Sequence, residues 1–300
     1  MGRQAKTDQY GGRSKTNETV IRAIRKDDEL LKDILQHEQS EMLHIWWLGQ
    51  SGYLLQYKGK RALIDPYLSD SLTKKYASTD KPHVRISERV IDPALLPRID
   101  LVSSSHNHTD HLDAETLIPI LEKNPDCRII IPEANRAFVC DRLKIDLGKP
   151  NGLNDGDEFK EDWIRLKAIP AAHNQIDRDV NGNCHYLGYM ISIASITIYH
   201  SGDTLLYEGM QDLIRQHAPH VALLPINGND PARKVAGNLS SNEAVNLAKE
   251  CGIPYVVPCH YDLFAFNTAD VNGFIELSRL AAQKILVLDL GGKFSSSELQ

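Results

Sequence analysis

The sequence predicts a single-domain, layered α/β sandwich. Short apolar strands come first in series, strands alternating with helices follow, and this progression appears a second time in the C-terminal half. No short-period repeat and no Pro- or Ser-rich interior linker divides the chain, so one domain is expected over residues 20–300. Residues 1–19 are polar, Gly-containing and aperiodic, which predicts a flexible lead-in.

Each element has its own signal. Ile21, Ile24, Leu30, Leu31, Ile34 and Leu35 recur at helical spacing among charges, predicting one or two amphipathic helices over 20–39. HIWWL, GYLLQY and KRALIDPYL are aromatic and aliphatic runs punctuated by Gly49, Gly52 and Gly59, the pattern of an antiparallel meander. IDLVSSS and CRIIIPE read as strands, each followed by a helix, near 114–122 and 134–143. DWIRLKAIPA and YLGYMISIASITIYHSGD supply further strands, with Ala194-Ser195 as a hairpin turn. A helix is expected over 207–217, then the strand HVALLPI, a helix from Ser241, the strand YVVPCH, a helix over 271–282 and the strand KILVLDL. Ser240 and Glu243 have the S-x-x-E spacing of a capping box for the helix from Ser241.

Composition narrows the function. The 300 residues are 42% hydrophobic and 25% charged, which excludes disorder as the main state. With 34 basic against 40 acidic residues and a net charge of −6, nothing draws the whole chain toward a nucleic acid or an anionic membrane. No apolar run reaches the roughly 18 to 20 residues of a membrane span, and the N-terminus lacks an apolar signal segment, so a cytoplasmic location is expected. The five cysteines (127, 140, 184, 251 and 259) include no C-x-x-C pair and are expected as buried free thiols.

The strongest chemical signal is HNHTDH at 106–111, directly after an apolar strand. A chain leaving a sheet there aims side chains into a crevice at the strand's carboxyl end. His106 and His108, at i and i+2 on an extended backbone, point to one side and can share a metal ion, while Asp110 and His111 fall past the bend, available to a second. Imidazole and carboxylate suit zinc, iron or manganese better than magnesium or calcium. Asp65, His173, Asp203 and His260 each follow a strand and are further candidates.

With HNHTDH matching H-x-H-x-D-H, SGDT at 201–204 and PCHYD at 258–262, residues 44–294 resemble the metallo-β-lactamase-fold hydrolases. WWLGQSGYLL, YHSGDT, PINGND and GGKF are most similar to the branch that contains L-ascorbate-6-phosphate lactonase; His173 and the segment INGNDPAR depart from it. The resemblance implies a four-layer αββα sandwich and a cytoplasmic metal-dependent hydrolase holding one or two ions, zinc or manganese. His106, His108 and His173 would hold one ion, and Asp110, His111 and His260 the other. Asp203 would bridge them, and Asp65 would fix a ligand ring from behind. A cation lowers the pKa of bound water from 15.7 toward about 7. The resulting hydroxide would attack a lactone or ester, with Asp110 orienting it or passing its proton to the leaving group.

Substrate contacts are expected from Asn229 and Arg233 in the loop 227–238, with Tyr261 beside the last His and Lys293 in GGKF. Arg233 is either a bidentate clamp for a phosphate or carboxylate or a solvated arginine. The expected partner is a small, anionic substrate, without nucleic acid or membrane; a homo-oligomer through the N-terminal helices is a further expectation from the resemblance. A phosphodiesterase or nuclease on the same metal set, an iron oxidoreductase and a non-catalytic metal-binding scaffold are the competing readings.

Overall fold

The computed structural model describes residues 20–299; the expected flexible segment 1–19 lies outside them. Two seven-stranded mixed sheets face each other, with helices packed around them. The first sheet contains β1 (His44–Gly49), β2 (Gly52–Tyr57), β3 (Lys60–Ile64), β4 (Leu101–Ser103), β5 (Arg128–Pro132) and β6 (Asn151–Leu153). The second is built from β7 (Glu158–Lys160), β8 (Arg165–Pro170), β9 (Leu187–Ile193), β10 (Ile196–His200), β11 (Val221–Pro225), β12 (Tyr255–Cys259) and β13 (Lys284–Ile285). The last strand, β14 (Lys293–Ser295), returns to the first sheet beside β1. Each sheet is half antiparallel and half parallel: β14-β1-β2-β3 then β3-β4-β5-β6, and β7-β8-β9-β10 then β10-β11-β12-β13. The progression that repeats in the sequence is thus one sheet pattern used twice.

Helices α1 (Asp28–Gln36), α2 (Ser71–Tyr76), α3 (Ala114–Lys123), α4 (Arg136–Leu143), α5 (Met210–Arg215), α6 (Ser241–Glu250) and α7 (Val271–Leu280) supply the connections. Asp113 caps α3 by accepting the Thr116 N–H (3.1 Å). The capping box of α6 is present, with Glu243 N–H to Ser240 Oγ at 3.3 Å and Ser240 N–H to Glu243 Oε2 at 2.8 Å. Trp46 and Trp47 take opposite faces of a strand buried throughout. Trp46 Nε1–H donates to Asp33 of α1 (2.8 Å), and Trp47 stacks on Tyr261 at 4.7 Å. All five cysteines are free and buried.

Three elements differ from the expectation. Helix α1 begins only at Asp28, because Asp27 stands at φ 47° and the chain before it runs extended along residues 86–90. There Ile21 N–H donates to Ile86 O, Glu88 N–H donates to Ile21 O, and Ile24 remains exposed. The helix expected over 207–217 spans 210–215, since Gly209 at φ 83° starts it. KILVLDL pairs only through Lys284–Ile285, because the chain then leaves the second sheet for the first, where Gly291 N–H donates to Trp47 O.

Candidate metal centre

Residues at the carboxyl ends of strands in both sheets converge on one cleft. Gln50 follows β1, Asp65 follows β3, His106 to His111 follow β4, His173 follows β8, Asp203 follows β10 and His260 follows β12. Gln50 (φ 51°), Asp65 (φ 43°) and His260 (φ 63°) all have left-handed backbone, a strained conformation that recurs at functional sites. The segment 106–112 is pinned from α4: Arg142 Nη1 donates to Asn107 O at 2.7 Å and to Leu112 O at 3.0 Å.

The ligating atoms form three overlapping cradles, in each of which they lie within 4.8 Å of one another: His106–His108–His173, His106–His111–Asp203 and Asp110–His111–His260. Asp203 stands at the junction. Its oxygens lie 3.4 Å from His111 Nε2, 3.5 Å from His260 Nε2 and 3.8 Å from His173 Nε2. Asp110 Oδ2 is 3.7 Å from both His111 Nε2 and His260 Nε2.

A hydrogen-bond network behind the rings sets their tautomers. Asp65 Oδ1 accepts the Ser105 N–H (2.7 Å), and its Oδ2 accepts both the Ser105 hydroxyl and His111 Nδ1–H, the latter at 2.6 Å. With its proton given to Asp65, Ser105 Oγ accepts His106 Nδ1–H at 3.0 Å. His173 Nδ1–H donates to Gly237 O at 2.9 Å. All three rings therefore direct Nε2 toward the cleft.

The donor set fits a divalent cation. His106 Nε2, His111 Nε2 and Asp203 Oδ1, all members of one cradle, are buried and take part in no hydrogen bond. Native proteins seldom leave such atoms unpaired without an ion or water to satisfy them. The charges point the same way. Burial alone would lower the pKa of His111, but Asp203, Asp110 and Asp65 outweigh it and hold the pKa well above the ordinary histidine value, so the surroundings favour positive charge at that point. Burial would raise the pKa of Asp203; His111 and His260 reverse this and hold it well below the usual carboxylate value. Burial pushes His106 down and His108 to about 4, which keeps both as neutral lone-pair donors near neutral pH.

The cleft above these cradles is about 440 Å³. Among the described residues its acidic lining is Asp110 and Asp203, whereas Lys75, Lys81, His83, Arg142 and Lys234 contribute basic groups. Tyr186, whose ring centroid lies 5.3 Å from that of His106 and 5.5 Å from that of His173, walls the cradle that these two share with His108.

The four residues expected to touch substrate are placed otherwise. Lys293 lies in β14, away from the cleft, where its ammonium donates to Asp33 Oδ1 at 2.8 Å; GGKF serves to pin α1 to the sheet. Tyr261 is buried, stacks on Trp47 and donates from its hydroxyl to Leu288 O (2.9 Å), because the left-handed turn at His260 sends the following side chain inward. Arg233 spends its guanidinium on Asn267 Oδ1 (2.6 Å), Asn227 O (2.7 Å) and Gly228 O (3.1 Å), closing the loop. Asn229 packs against Gly237 on the loop's exposed side, outside the cleft lining. Sequence reasoning missed Gln50, Arg142, Tyr186, Lys75 and Lys81; only Gln50, in a Gly-Gln-Ser-Gly turn after a strand, carried a local signal.

Gly202 explains the spelling of SGDT. It lies at φ 59°, and a Cβ there would come within 2.7 Å of Leu187 O and 2.8 Å of Ser105 Cβ. Gly202→Ala is expected to cost about 2–3 kcal/mol of stability and to displace Asp203, lowering metal content. Thermal unfolding with elemental analysis checks this; wild-type values for both would refute it.

Two facing mixed sheets with strand-end imidazoles and carboxylates define the class: an α/β-sandwich protein built around a candidate metal site. The profile of the beta-lactamase superfamily domain matches residues 44–260, and the chain belongs to that family. Among its curated relatives, a UPF0173 metal-dependent hydrolase of Saccharolobus solfataricus is 26% identical over 254 residues, covering 83% of this chain and 98% of the relative. Another, from Methanoregula boonei, is 29% identical over 236 residues, covering 77% and 88%. Solved structures give the same fold: Igni18, a metallo hydrolase of Ignicoccus hospitalis (TM-score 0.61, 24% identity, 85% and 98% covered), and an isothiocyanate hydrolase from Delia radicum gut bacteria (TM-score 0.66, 19% identity, 84% and 98% covered). Family and relatives are those of metal-dependent hydrolases of the beta-lactamase superfamily. None of the described helices is long and apolar enough to cross a membrane.

Proposed function

We propose that the protein hydrolyses a small anionic lactone or ester, using one or two divalent ions, zinc or manganese. The observation that carries this reading is the set of seven His and Asp side chains meeting below a cleft whose remaining ionic lining is cationic. His106, His108 and His173 would hold one ion and Asp110, His111 and His260 the other, with Asp203 between them. A cation bound there supplies Lewis acidity and makes water a stronger acid. The protein's own residues do the rest. Asp110 stays ionised: burial would raise its pKa, but His111 and His260 bring the net shift below the usual carboxylate value. In this reading it orients the attacking water and passes its proton to the leaving alkoxide. Tyr186, beside the rings of His106 and His173, would limit water around the reacting group.

Lys75, Lys81 and Lys234 would grip the anionic group at the mouth. A phosphodiester is the second reading, favoured by the same three ammonium groups. The test pairs elemental analysis with a panel of anionic lactones, esters and phosphodiesters, for wild type and His108→Ala. Metal and lactone or ester turnover, both lost in the variant, support the proposal; turnover of phosphodiesters alone transfers it to the second reading. Metal-free, inactive wild type would leave a scaffold.

The lysine cluster makes a separate prediction. Lys75→Gln/Lys81→Gln/Lys234→Gln is expected to raise KM for the anionic substrate about tenfold, with a much smaller change in kcat and a weaker dependence on salt. Steady-state kinetics at low and high ionic strength checks it; an unchanged KM removes these lysines from recognition.

A further inference from the structure

His200 ends β10 in the second sheet with 1% of its surface exposed, and both nitrogens of its ring are engaged. Its Nε2–H donates to Ser51 O, in the turn between β1 and β2 of the first sheet, at 3.1 Å, and its Nδ1 accepts the backbone N–H of Gly202 at 3.3 Å. We propose that His200 is a positioning residue of the metal centre, holding Asp203 in register with the turn to which His260 is bonded. The proposal rests on the metal-dependent reading above and adds to it a residue that touches no ion.

The two partners dictate the state of the ring. A peptide N–H can only donate and a peptide carbonyl can only accept, so Nδ1 carries the lone pair and Nε2 the proton. This is a neutral tautomer, and burial supports it by lowering the pKa below the ordinary histidine value. Tyr53 packs edge-on against the ring, with centroids 6.2 Å apart and planes at 82°. Among the described residues, Ser51 O and Gly202 N–H have no other hydrogen-bond partner, so an apolar side chain in place of the imidazole would leave two peptide groups of buried residues open.

Each bond bears on a candidate ligand. Gly202 directly precedes Asp203, whose oxygens stand 3.4–3.8 Å from the Nε2 atoms of His111, His173 and His260. Ser51 directly follows Gln50, whose carbonyl accepts the backbone N–H of His260 at 3.1 Å. His200 thereby closes a ring of bonds that runs from Asp203 through the first sheet's turn to His260. The 3.5 Å between Asp203 Oδ2 and His260 Nε2 is the gap that this ring spans.

The test titrates the full-length metal-free chain with Zn²⁺ against a competing chelator. Wild type is compared with His200→Phe, which fills the space and makes neither bond, with His200→Asn, whose amide oxygen takes the place of Nδ1 as acceptor for Gly202, and with His200→Gln, whose longer amide reaches Ser51 as donor. His200→Phe is expected to bind Zn²⁺ at least tenfold more weakly. His200→Asn is expected to recover most of that loss and His200→Gln less, because the Gly202 bond is the one beside Asp203. A histidine that served folding alone would lower the melting temperature of the metal-free variants without this order of affinities. Folded His200→Phe that binds Zn²⁺ as tightly as wild type would overturn the positioning role and leave the hydrolase reading standing; should that variant fail to fold, His200→Asn binding no more tightly than His200→Gln overturns it equally. Wild-type chain that takes up no Zn²⁺ instead removes the metal centre itself, and His200's role with it.

Discussion

Asp203→Ala is expected to lower kcat/KM by about a thousandfold or more and to yield protein containing less than one ion per chain. Asp203 alone faces both outer cradles, with carboxylate oxygens 3.4–3.8 Å from the Nε2 atoms of His111, His173 and His260. It is 3% exposed, so no water enters freely to replace its charge. Truncation leaves imidazoles facing one another with one carboxylate, Asp110, to offset two cations. Asp203→Asn keeps the shape without the charge and is expected to fall between wild type and alanine in metal content. Elemental analysis and steady-state kinetics on the same preparations decide the matter. An alanine variant with two ions and more than a tenth of wild-type activity would show that the junction is dispensable.

Asp65→Asn is expected to weaken metal binding about 10–100-fold although Asp65 belongs to none of the cradles. This carboxylate accepts His111 Nδ1–H directly and, through the Ser105 hydroxyl, governs His106 Nδ1–H. One residue thereby orients a ring used by each ion. An amide has a single acceptor oxygen where the carboxylate has two, so Asn cannot accept from Ser105 N–H, Ser105 Oγ–H and His111 Nδ1–H in the same geometry. A buried donor left unpaired costs about 1–3 kcal/mol, so the metal-free variant should also melt at a lower temperature. Chelator competition and melting curves measure the two effects. Unchanged affinity for both ions would confine Asp65 to folding.

These expectations draw on a site that was largely legible in the sequence. HNHTDH and the isolated Asp65, His173, Asp203 and His260 all follow apolar runs, and strand ends are positions that periodicity locates well. What periodicity cannot supply is which strand ends meet. Lys234 is remote in the chain from Lys75 and Lys81 and shares a cleft with them only because α2, the segment after it and the loop after β11 lie over the same mouth. Lys293 was expected in the cleft, but it pairs across from Trp46 and turns its ammonium to the face that α1 covers, where it meets Asp33. Residues 20–27 have helical spacing, but the segment runs extended, with Ile21 bridged to Ser87 and Ile24 left exposed, and no local signal marked the left-handed Asp27 as the point of change. Arg233 shows the limit of residue chemistry: a fork that suits phosphate also suits the carbonyls of its own loop.

That use of Arg233 separates a fixed part of the cleft wall from a replaceable one. With Asn227 and Asn267 it closes the loop after β11, and Gly237 at the far end holds His173 through its carbonyl. Between these anchors, residues 229–236 contribute no member of the cradles. Apart from Arg233 itself, their side chains can change, and with them the shape and charge of the cleft mouth, while the anchored ends preserve the reacting centre. A lineage can explore new substrates by rewriting this short stretch, and segment exchange at the same two anchor points offers the protein engineer an equivalent handle.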